Sequence, residues 1–195
     1  MTGAKVAFVD IDPKTYNMDP NKLEDYLKKR LSPTPSTLDP PPSTLTPRPK
    51  ALIPVHLYGQ PADLDPIISL ARKYNLKVVE DAAQAHGAMI SDRKVGSFSS
   101  GVFSFYPTKN MTTGEGGMIT TDDANIYQKA ISLRDHGRAS DNPNVHVELG
   151  YNWRFSELHA VLGLQQMMKA KNILAERRRI ARRYDEKLEG VKGIS

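Results

Sequence analysis

The 195-residue sequence contains no cysteine, which removes disulfides, thiolate metal sites and cysteine nucleophiles from consideration. It has no apolar run near the roughly 20 residues that span a bilayer as a helix. The opening "MTGAKVAFVD" lacks the charged and apolar regions of a signal peptide. These absences predict a soluble, cytoplasmic protein. The five histidines, at 56, 86, 136, 146 and 159, show no close metal-ligand spacing, so no metal is expected. Charge is modest at +5, and much of the basic character sits in "ERRRIARR", residues 176–183. Such a cluster can touch nucleic acid, but at helical spacing it is more simply a solvated face. No nucleic-acid reading motif accompanies it.

What is present has the order of an α/β protein. "KVAFVDID" reads as a first strand, and Asp19-Pro20 as the N-cap and first-turn proline of helix "NKLEDYLKKRL". Residues 32–50 hold seven of the fourteen prolines, which forbids a regular helix or central strand there and predicts a loop or insertion. From residue 51 the pattern turns regular. "ALIPVH", "KVVEDA", "GVFSFY" and "GGMITTD" read as strands, and "DLDPIISLARKY" and "ANIYQKAISLRDHG" as helices, the second stopped by Gly137. Short apolar strands alternating with helices predict a mostly parallel sheet. The end, from Ser156 to about Glu189, reads as one long or broken helix.

Ligands of parallel α/β sheets collect beyond the C-terminal strand ends. Asp81 stands at such an end, and Gln84 follows at i+3. The two either face one ligand or form the cap of a helix over "AAQAHGA". Lys109 follows "GVFSFY" and precedes glycines 114, 116 and 117, where the backbone can turn sharply or approach a ligand. No GxxxxGK[ST] phosphate loop is present. A lysine and an aspartate together suit pyridoxal phosphate, which needs an amine for its Schiff base and an acid opposite its pyridine nitrogen. The acid keeps that nitrogen protonated, and the displaced lysine can carry a proton between carbons.

"VHLYGQPADLDPI", "VVEDAAQAHGA", "GVFSFYPTKNMTTGEGGMITTDD", "LRDHGR" and "LGYNWRFSELHAVLGLQQ" resemble, in order, the DegT-type sugar aminotransferases of fold type I. The resemblance implies the large domain of a pyridoxal-phosphate-dependent transferase. Lys109 would form the Schiff base, Asp81 would pair with the pyridinium and Gln84 would hydrogen-bond the ring oxygen. Ser104 would contact the cofactor phosphate, unless it is a strand serine satisfied by backbone. Asn152 would reach a neighbouring subunit's phosphate in a homodimer, unless it is only a turn residue. His56 either lines the substrate side or is a packed or solvent-linked histidine. Arg154 either binds an anion or holds its own loop, and Trp153 and Phe155 read as core or interface anchors.

The implied reaction moves an amino group, from glutamate, to a nucleotide-linked keto sugar, as in polysaccharide biosynthesis. Related sugar dehydratases carry histidine in place of the lysine, so Lys109 opposes that alternative. The SGTxAL-type phosphate-binding segment of the family is not found, and the sequence resembles the middle of an enzyme, truncated at both ends. Residues 1–155 would then be a partial cofactor-binding domain and 156–195 a helix leading toward a further domain. An inactive remnant, or a subunit requiring a separate chain, is the alternative.

Overall fold

A computed structural model describes residues 2–31 and 48–194. Most of the proline-rich stretch 32–50 therefore lies outside the described residues. The chain divides into two compact units, Met1–Phe103 with Ile119–Tyr127, and Ser104–Met118 with Gln128–Ser195.

In the first unit, helix α1 (Pro20–Leu31) starts as the sequence predicts. The Asp19 side chain accepts the Asn21 N–H at 2.8 Å, and Pro20 has no N–H to leave unpaired. Helix α2 (Leu64–Lys73) has Asp65 in its first turn and Arg72 and Lys73 in its last, matching the helix dipole. Leu23 and Leu27 of α1 pack with Leu64, Ile67, Leu70 and Ala71 of α2 and with Leu52 in one buried cluster. Full burial of each such leucine contributes about 1.5–3 kcal/mol.

Strands β1 (Ala51–Leu52), β2 (Lys77–Asp81), β5 (Ser100–Ser104) and β6 (Gly117–Thr120) form a sheet in that order. β1 pairs with β2 and β2 with β5, both in parallel. Two expectations fail here. "KVAFVDID" forms no strand; Val6 and Phe8 are exposed, and only Ile11 bridges, to Met18. No neighbouring strand among the described residues takes up its backbone groups. "ALIPVH" shortens to two residues because Pro54 has no N–H for the ladder; beyond it Val55 makes an isolated parallel bridge to Asp81. A short hairpin of β3 (Met89–Ile90) and β4 (Arg93–Lys94), turning with Ser91 at φ 52°, carries no strong sequence signal.

Helix α3 (Ala124–Arg134) runs from the first unit into the second. The Gly137 N–H closes its end on the Ser132 carbonyl at 2.8 Å, and His136 and Gly137 are both left-handed, at φ 61° and 70°. Gly137 is required for a second reason: a Cβ there would lie 1.9 Å from the Glu148 carbonyl oxygen. Helix α4 (Glu157–Leu188) is unbroken over 32 residues, capped by the Ser156 side chain on the His159 N–H, and none of its residues is buried.

Candidate active site

Strand β2 ends with two acids of opposite circumstance. Glu80 is fully buried. One carboxylate oxygen accepts from the Gly96 N–H at 2.6 Å and from His56 Nε2 at 3.3 Å. The other accepts from the Phe98 and Ser99 N–H groups at 2.9 and 2.8 Å and from Ser99 Oγ at 3.2 Å. Burial pushes this carboxyl up, but the hydrogen bonds from His56 and from the Gly96 and Ser99 amides outweigh it and hold it below the ordinary carboxylate value. The Ala62 N–H donates to His56 Nδ1 at 3.0 Å, so the ring proton sits on Nε2 and faces Glu80. His56 is fully buried, as a packed histidine would be.

Asp81, next along, pairs with Val102 of β5. Its carboxylate accepts the Ala83 N–H at 3.1 Å in a local turn, and no helix forms over residues 82–88. Asp81 therefore caps no helix. Gln84, within that turn, accepts the Tyr58 N–H on Oε1 at 2.8 Å. Because a backbone N–H only donates, this contact leaves the Gln84 NH₂ as the end facing away, a pair of donors.

In the second unit, the chain leaving β5 folds into the Lys109 loop. Ser104 Oγ accepts the Tyr106 N–H at 3.3 Å and keeps its own proton to donate. The Lys109 N–H closes a turn on the Tyr106 carbonyl at 3.0 Å, and the side chain is half-buried. The loop is pinned at its base: Phe105 N–H meets the Gly116 carbonyl at 2.8 Å, and Thr113 N–H meets the Phe105 carbonyl at 3.0 Å. Gly116, at φ 155°, has no room for a side chain, since a Cβ would fall 2.4 Å from the Phe155 ring. Phe155 is thus a local packing residue, whereas Trp153 is exposed and stacks on Tyr151 with centroids 4.4 Å apart.

Asn152 bridges to Asp135, and its Oδ1 accepts from Arg154 Nε at 3.1 Å. Its NH₂ is thereby turned outward as a donor, as at Gln84. Arg154 also pairs with Asp135 at 3.5 Å, so it holds its own loop. The five candidate residues fall as Asp81 and Gln84 on one turn of the first unit, and Ser104, Lys109 and Asn152 in the second. Sequence reasoning missed Glu80, whose signal was an acid inside an apolar strand, and Asn17, described below. Among the described residues no group of three or more metal-ligating side chains is gathered.

The first unit thus presents a carboxylate and an amide, and the second an amine, a hydroxyl and an amide. The model of the DegT/DnrJ/EryC1/StrS aminotransferase family matches residues 1–195. The chain belongs to that family. It is 41% identical over 187 residues to the GDP-perosamine synthase of Caulobacter vibrioides, covering 95% of this chain and 46% of the relative. It is likewise 41% identical over 191 residues to a UDP-N-acetyl-3-dehydro-α-D-glucosamine 3-aminotransferase of Acidithiobacillus ferrooxidans, covering 97% and 46%. A DegT/DnrJ/EryC1/StrS aminotransferase from Brucella abortus superposes with a TM-score of 0.85 at 33% identity, over 97% of this chain and 48% of that one. The α/β fold with its mostly parallel sheet is that of pyridoxal-phosphate-dependent aminotransferases, and the chain spans about half the length of the relatives it matches.

Proposed function

We propose that this chain supplies the cofactor centre of a pyridoxal-phosphate-dependent aminotransferase that moves an amino group from glutamate to a nucleotide-linked keto sugar. The observation that carries this reading is the family match along the whole chain, with relatives named for amino sugars on GDP and UDP.

An amine for the Schiff base and an acid for the pyridine nitrogen are the residue types that the group needs. Bound pyridoxal phosphate supplies an electron sink for negative charge on the substrate carbon. Lys109 would hold it through its amine, and the same amine would serve as the group that moves a proton between carbon atoms. The Asp81 carboxylate favours the protonated ring nitrogen by opposite charge. Gln84 donates to the ring oxygen and Ser104 to the phosphate. Asn152, with its donors outward, reaches the phosphate bound by a second subunit, making a homodimer part of the site. The proposed place of action is the cytoplasm. Among the described residues no helix is long and apolar enough to cross a membrane.

The test is to add pyridoxal phosphate to the purified chain, record the visible spectrum, and assay amino transfer from glutamate to a panel of GDP- and UDP-linked keto sugars. A visible band abolished by Lys109→Ala, with Asp81→Asn keeping the band but losing at least a hundredfold in turnover, supports the reading. Unchanged turnover in Asp81→Asn sinks that assignment.

A further inference from the structure

Asn17 lies far from every candidate residue in sequence, yet its side chain is buried, only 3% exposed. A tight loop presents it: the Asp12 carboxylate accepts the Lys14 and Thr15 N–H groups, both at 2.8 Å, and the Asp12 N–H returns to the Asn17 carbonyl at 2.9 Å. Both ends of the Asn17 amide engage one segment 40 residues on. Oδ1 accepts the Leu57 N–H at 3.0 Å, and Nδ2 donates to the Gln60 carbonyl at 3.0 Å. Inside that clamp Tyr58 adopts φ 54°, ψ 21°, a left-handed conformation that side-chain-bearing residues seldom take. The Tyr58 side chain is 85% exposed, so its own packing does not hold the strain. The strain is held by the clamp and by His56, whose N–H meets the Asp81 carbonyl at 3.0 Å and whose ring is fixed by Glu80. The product of this conformation is the Tyr58 N–H on Gln84 Oε1.

We propose that Asn17 is a positioning residue for Gln84: by clamping residues 57–60 it keeps the Tyr58 N–H on Oε1, so that the amide presents only donors to a ligand. This is the polarity that an anionic ring oxygen requires, and that half of the inference rests on the function proposed above. Without the clamp, Tyr58 relaxes to negative φ, Oε1 loses its donor, and the amide is free to turn its carbonyl toward the same anion.

Amide hydrogen exchange on the full chain, followed by NMR, reads the clamp without any cofactor. Asn17→Ala should speed exchange at Leu57 and Tyr58 at least tenfold while Leu27 and Ile67 in the core stay unchanged. Retained protection of Tyr58 overturns the proposal. If Asn17→Ala also exposes the core, Asn17→Asp decides: it keeps an acceptor for Leu57 but loses the donor to Gln60, and Tyr58 should exchange faster with the core intact. Gln84→Glu, still an acceptor, should keep Tyr58 protected, and Gln84→Leu should not; equal protection in both counts against the contact. The ligand half is read with pyridoxal phosphate and with an analogue lacking its phenolic oxygen. Asn17→Ala should weaken the first at least fivefold and leave the second unchanged, whereas equal weakening of both marks a merely structural residue and overturns positioning. Absence of a Lys109-dependent band in the unmodified chain overturns the proposed function and the ligand half with it, while the clamp still stands or falls on Tyr58 exchange.

Discussion

Helices α1 and α4 use apolar residues to opposite ends. In α1, Leu23 and Leu27 stand one turn apart, both wholly buried against α2. In α4, Leu158, Val161 and Leu162 have the same helical spacing, yet each is more than half exposed. A 3.6-residue pattern therefore states which face is able to pack, and only tertiary context states whether it does. The short helix is held by its core. The long one is held, within this chain, by its cap, its backbone ladder and pairs such as Glu176–Arg179, with Nε to Oε2 at 2.9 Å.

Substitutions sharpen this contrast. The largest effect belongs to the packed side: Glu80→Ala strips the acceptor from three backbone N–H groups and from His56, and should cost about 3–5 kcal/mol in urea unfolding. Its pH dependence has a definite sign. The folded-state pKa of Glu80 is depressed, so its contribution is complete above the unfolded carboxylate value, about 4.3, and is lost as pH falls through the depressed value. The gap between wild type and Glu80→Ala should accordingly narrow in acid; a constant gap contradicts the charged network. Leu23→Ala should cost about 2–5 kcal/mol by the same assay.

On the other side the effects are small. Ser156→Ala removes the α4 cap and should cost about 1 kcal/mol, visible as reduced helicity by circular dichroism. Leu158→Ala should change stability by less than about 0.5 kcal/mol. A loss as large as that of Leu23→Ala would break the comparison, because it would mean that this face is covered in solution.

What the sequence disclosed follows the range of the interactions. Asp19-Pro20 and Ser156 mark helix starts because a cap is a contact between residues two or three apart. Asp81 at a strand end was legible for the same reason, since strand and turn are contiguous. The failures are non-local. Extended "KVAFVDID" is a strand only if another strand pairs with it, and no window of sequence contains that partner. The Glu80 network gathers donors from residues 56 and 96–99, and the Asn17 clamp spans 40 residues. Tyr58 and His136 take left-handed conformations together with the glycine that follows each, Gly59 at φ 88° and Gly137 at φ 70°. In both cases long-range or cap hydrogen bonds hold the residue that bears a side chain.

The far half of α4 has a further consequence. Residues 176–183 place five arginines and one glutamate on about two helical turns, none of them buried. Their mutual repulsion acts through solvent and is screened over about 8 Å at 0.15 M ionic strength. Dissolved ions thus tighten this stretch by damping repulsion even as they weaken the Glu176–Arg179 attraction. This stretch belongs to a helix with no buried side chain of its own, so its fraying is governed by the solution as much as by the fold.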